Sequence, residues 1–144
     1  MTLAANKATL QHMQSALKKI TGWPVVIGEP KASPGGFAAA IIPESGYVEA
    51  VTLESPREIH VVTVRMYAPM LQEPVEGIEF ELDRLRGLVM ADYFGDFDFG
   101  GTVAYALPTE FSWNYGYQEI GGLMVRLLDI SIAYRLDDQA TFVA

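Results

Sequence analysis

Residues 57–68, REIHVVTVRMYA, and residues 75–94, VEGIEFELDRLRGLVMADYF, decide the fold. The first stretch is the longest strand candidate in the chain, with β-branched residues at Ile59, Val61, Val62, Thr63 and Val64. Its middle is apolar on both faces, as in a central strand covered on at least one side. The second stretch changes period. Ile78, Leu82, Leu85 and Val89 follow at +4, +3 and +4, which makes one core-facing stripe of a helix. Glu76, Glu79, Asp83, Arg84 and Arg86 fill the other side, and the early acids suit the positive end of the helix dipole.

Upstream, Leu3, Leu10, Met13, Leu17 and Ile20 form a second helical stripe, predicting a helix from Leu3 to Ile20. Lys18 and Lys19 fit its last turn, and Thr21-Gly22 with Pro24 beyond end it. Trp23 to Ile27 is a short apolar run. The segment 29–36, EPKASPGG, has no periodicity and reads as a Pro/Gly loop between strands. Phe37 to Ile42 forms another run, Pro43-Glu44-Ser45-Gly46 reads as a turn, and Tyr47 to Leu53 follows as a further strand. Downstream, residues 95–101 are a loop with aromatic residues. Three strands are expected after it: Thr102–Leu107, Thr109–Ile120 and Leu123–Leu136, with a tail at 137–144. Two helices that do not alternate with strands disfavour a parallel fold. The order fits the α+β class, an antiparallel or mixed β-sheet with two helices packed on one face, in a single domain over 1–144.

The 144 residues suffice for one core without staples, and half of them are hydrophobic, against 19% charged. No cysteine is present, which removes disulfides and thiolate chemistry. No apolar run approaches the roughly 20 residues needed to span a membrane, and the opening MTLAANKATLQHMQ lacks a secretion-signal core, so a soluble chain made in the cytoplasm is expected. The net charge of -8 is uneven: residues 1–72 carry +1 and residues 73–144 carry -9. Such a field repels nucleic acid and no basic stripe overrides it, so specific DNA or RNA binding is not expected.

Catalytic and metal signatures are weak throughout. His12 and His60 are the only histidines, and neither has a second ligand at helical metal spacing, so both read as structural or surface residues. The loop from Asp96 resembles the start of a calcium loop but lacks the third oxygen ligand and the closing carboxylate, leaving a solvated turn. The glycine pairs at 35–36, 100–101 and 121–122 stand outside any strand-to-helix phosphate cradle and read as turns or bulges. No serine lies in a nucleophile-elbow context. No cofactor, metal or enzymatic activity is expected. The feature that does stand out is aromatic: Phe94, Phe97, Phe99, Tyr105, Phe111, Trp113, Tyr115 and Tyr117 gather in one region, either as a large core or in part as a subunit interface.

The second half also resembles a known family. An acid-rich helix is followed by Gly95-Asp96-Phe97-Asp98-Phe99-Gly100-Gly101-Thr102-Val103, then Gly116-Tyr117, Ile120-Gly121-Gly122 and Arg126-Leu127-Leu128-Asp129-Ile130-Ser131-Ile132, with His60-Val61-Val62-Thr63-Val64-Arg65-Met66-Tyr67 upstream. Over roughly 57–136 this is similar to the tail terminator proteins of long-tailed, non-contractile bacteriophages. The resemblance implies an α+β virion protein of the tail or neck that forms a homo-oligomeric, six-membered ring. Such a ring caps the tail tube, stops its polymerisation and joins it to the head-side connector or stopper protein. DNA passes through without specific binding, and no membrane is involved. In such a ring Glu76, Glu79 and Asp83 are candidates to face an acidic channel, and Lys31, Pro34, Phe97 and Phe99 to contact a neighbouring subunit or partner. Two alternatives remain open at this point: another neck or tail-completion protein, and a small ligand-binding or enzymatic α+β domain.

Overall fold

The computed structural model describes residues 4–30, 36–50, 56–69, 75–96, 99, 103–120 and 123–137. Two helices, α1 (Ala4–Thr21) and α2 (Val75–Gly95), accompany five strands: β1 (Val25–Ile27), β2 (Ala38–Ala50), β3 (Pro56–Pro69), β4 (Tyr105–Ile120) and β5 (Leu123–Asp137). The strands form one sheet in the order β1-β2-β3-β5-β4. β1 runs parallel to β2 and every other neighbouring pair is antiparallel, so the sheet is mixed and the fold is α+β.

α1 stops where its cap dictates. The Gly22 N–H donates to the Lys18 carbonyl at 2.8 Å with φ at +69°, the left-handed conformation that glycine adopts without a Cβ penalty. Thr21 Oγ1 donates to the Leu17 carbonyl at 2.8 Å and accepts from the Trp23 N–H at 3.1 Å, so the chain turns sharply into β1.

The core is a sandwich of two helical stripes on one sheet face. Met13 and Leu17 of α1 and Ile78, Leu82, Leu85, Val89 and Tyr93 of α2 share a buried cluster with alternate strand residues. On β3 these are Val62, Val64, Met66 and Ala68; on β5 they are Leu128, Ile130, Ile132, Tyr134 and Leu136. Cross-strand pairs such as Val64↔Ile130 and Met66↔Leu128 keep the register, since a slip of one residue would turn this row to the other face. α1 lies over β1 and β2, α2 lies mainly over β4, and the helices also touch each other.

The opposite face carries a second buried cluster of Ala40, Ile42, Tyr67, Val125 and Leu127. Beside it Arg65 grips Asp129, its register partner, through Nε at 2.8 Å and Nη2 at 3.1 Å. That two-pronged bond locks the two central strands and holds the Arg65 guanidinium well above its ordinary pKa, chiefly through the hydrogen bond to Asp129.

Two expected strand breaks are absent. Residues 43–46 do not form a turn: β2 continues to Ala50 with only a register shift between Pro43 and Ser45. β1 pairs only with residues 39–41, so among the described residues Pro43 has no strand on its β1 side and its missing N–H breaks no ladder there. Likewise Pro108 does not separate two strands. It lies in edge strand β4, paired on one side to β5, with a register shift before Glu110.

Candidate functional site

The described surface offers two places for function: the outer edge formed by α2 and β4, and a cleft between the helices. Among the described residues β4 is a terminal strand of the sheet, 16 residues long and hydrogen-bonded on one side only. Long edges of this kind present a row of free N–H and C=O groups to any further chain. Apolar side chains gather alongside. Phe94 is 59% exposed and Phe111 46%, and with Met90, Pro108, Thr109 and Glu110 they line a groove of about 380 Å³ between α2 and β4. The Arg86 guanidinium lies 4.5 Å from the Phe111 ring centroid, and its Nε donates to Asp83 at 2.9 Å. Farther round α2, Phe80 and Leu88 are also exposed.

The three acids expected to face a channel divide. Glu76 and Asp83 are exposed on α2. Glu79 is only partly exposed and accepts a 2.8 Å hydrogen bond from Arg126 Nε of β5, so its charge is neutralised against the sheet. The residues expected to touch a neighbour divide too. Lys31, Pro34 and Phe97 lie outside the described residues. Phe99 is not a surface group: it is 2% exposed, packed edge-on to Tyr93, tilted against Tyr134 and stacked on His12 with centroids 5.5 Å apart. Its φ of +49° is strained for a phenylalanine, and this packing holds it there.

The cleft between the helices joins residues that are far apart in sequence. His12 of α1 shares a 2.7 Å hydrogen bond with Asp96, just past α2, across a sequence separation of 84 residues. With Ser15, Ala16, Lys19, Ile20 and Asp92 they line a cavity of about 600 Å³. Burial first, then the neighbouring Asp96 carboxylate, pushes the Asp92 carboxyl above its ordinary range. His60 is likewise held, 3.0 Å from Glu58 and stacked on Tyr134. Among the described residues no three His, Asp or Glu side chains come together as a metal site. No described helix is long and apolar enough to cross a membrane.

Sequence periodicity assigned the side of α2 away from the core to charged residues and so missed Phe80 and Leu88. The signal was there, since an apolar residue on a polar helix face has to be covered by something or be tolerated. The His12–Asp96 pair had no local signal at all.

Comparison with known proteins adds the fold and nothing finer. No family model and no curated protein matches this chain. A chain of a solved structure superposes with a TM-score of 0.53 at 15% identity, covering 94% of this chain and 96% of the other. At that identity the likeness establishes a shared fold only.

Proposed function

We propose that this chain is a structural virion protein: a ring-forming tail terminator that caps a phage tail tube, stops its polymerisation and joins it to the head-side connector. The observation that carries this reading is the 16-residue β4, paired on one side only among the described residues and flanked by exposed Phe94 and Phe111, a surface suited to a partner. The sequence resemblance over 57–136 supplies the assembly, a homo-oligomeric ring of six, and its place in the tail or neck. Glu76 supplies exposed negative charge of the kind that lets DNA slide past a wall without sticking. The test is a tube-polymerisation assay. Added to polymerising tail tube protein of the same phage, the chain caps tube ends and shortens the length distribution; tubes of unchanged length would contradict the proposal.

A second reading, a small ligand-binding or enzymatic domain, is favoured by one observation: the cleft that sets His12 on Asp96 beside Ser15 and Lys19. A ligand of that cleft raises the melting temperature as RT ln(1 + [L]/Kd) requires, whereas a ring subunit is stabilised by its protein partners.

A further inference from the structure

The two ends of the sheet differ in a way that fits one to the other. At one end α1 lies over β1. Lys7, Gln11, Gln14 and Lys18 recur at +4, +3 and +4 on α1, and Gln14 Nε2 donates to the Val25 carbonyl at 2.8 Å, so this stripe faces the β1 edge. Lys7 and Lys18 are exposed on it, and α1 contains no acid. On the same edge Ile27 of β1, on the sheet face that α1 covers, is 40% exposed. At the other end α2 carries five acids against two arginines, and both arginines are tied to acids of α2 itself. Exposed Glu110 on β4 lines the groove of Phe94 and Phe111, and exposed Asp83 on α2 holds Arg86, whose guanidinium lies over Phe111.

We infer that the β1/α1 edge of one copy docks against the α2/β4 groove of the next, with Ile27 over Phe94 and Phe111 and Lys7 and Lys18 facing Asp83 and Glu110. This names the subunit contact of the proposed ring and rests on that reading. Charge decides the pairing. Groove against groove sets acid against acid, and lysine edge against lysine edge is equally repulsive, so a two-fold contact through either end is disfavoured. Basic edge against acidic groove is attractive. Because it joins two different surfaces, it leaves each copy with one of each free, the head-to-tail geometry that closes into a ring where the rotation between copies is a whole fraction of a turn.

Charge reversal tests the contact. Lys7→Glu/Lys18→Glu reverses one edge and Asp83→Lys/Glu110→Lys the other, all at exposed positions, with melting curves checking that each folds. By light scattering at a concentration where the wild type is assembled, each variant alone drops to the monomer mass. An equimolar mixture regains the wild-type mass, because each reversed edge then meets its reversed complement. Phe94→Ser/Phe111→Ser weakens assembly by at least tenfold with the charges intact. An assembled wild type with no rescue in the mixture overturns this contact and leaves the ring standing. Wild-type assembly by Asp83→Lys/Glu110→Lys overturns it as well and hands the groove to another partner. A wild type that is monomeric at every concentration overturns the contact and the self-assembled ring together.

Discussion

Leu82→Ala and Phe94→Ala remove apolar bulk from different faces of one helix, and the structure sets their effects well apart. Leu82 is fully buried in the cluster between α2 and the sheet, so truncation loses its transfer free energy and leaves a cavity. Leu→Ala at such sites costs about 2–5 kcal/mol, against about 5–15 kcal/mol of total stability for a domain. Phe94 is 59% exposed, so only some two-fifths of its surface contributes to the folded monomer. Scaling the roughly 1.5–3 kcal/mol of a fully buried large side chain gives about 1 kcal/mol or less. Urea unfolding reads both, at a dilution where the midpoint no longer depends on protein concentration. With a slope of about 2 kcal/mol per molar, Leu82→Ala lowers the midpoint by about 1–2.5 M and Phe94→Ala by at most about 0.5 M, with unchanged slope. Phe94→Ala nevertheless weakens association at high concentration. Equal midpoint shifts for the two, or no shift for Leu82→Ala, would refute the assignment of faces on α2.

Three further outcomes follow from the charged and phenolic groups. Asp129→Asn breaks the two-pronged bond to Arg65 and costs about 1–3 kcal/mol by urea unfolding, while Arg65→Met/Asp129→Leu recovers much of that loss because the site abuts the apolar cluster of Tyr67 and Leu127. Asp92→Asn stabilises the protein at pH 7: burial and Asp96 raise the Asp92 pKa, so its ionised form penalises the fold, and the advantage fades below about pH 4 where the wild-type carboxyl is protonated. Burial pushes the Tyr134 phenol up to about 12, so the stability it contributes is complete below about pH 10 and is lost as pH rises through about 12; Tyr134→Phe flattens that alkaline slope but also gives up the hydrogen bond from its hydroxyl to Asn6.

Helices were the most legible part of the fold. The stripe Ile78, Leu82, Leu85 and Val89 is buried throughout, and α1 runs Ala4–Thr21 against an expected Leu3–Ile20, because Thr21-Gly22 is a local stop signal that works through its own backbone. Strand breaks were less legible. Pro43 and Pro108 look like interruptions in the sequence, but whether a proline breaks a strand depends on which side of it is paired, and that is fixed by tertiary neighbours. The aromatic region shows the same limit: composition gathered Phe94, Phe99 and Phe111 alike, and only packing separates buried Phe99 from the two exposed rings. His12–Asp96 was invisible because the helix–helix contact that makes it spans 84 residues.

The account stands on self-assembly into a closed ring, and native mass by light scattering across a concentration series, with negative-stain images of the same samples, addresses it most directly. The expected result is a particle near six times 15.8 kDa with a central hole. A particle that stays at 15.8 kDa at every concentration, with no ring in the images, would contradict it.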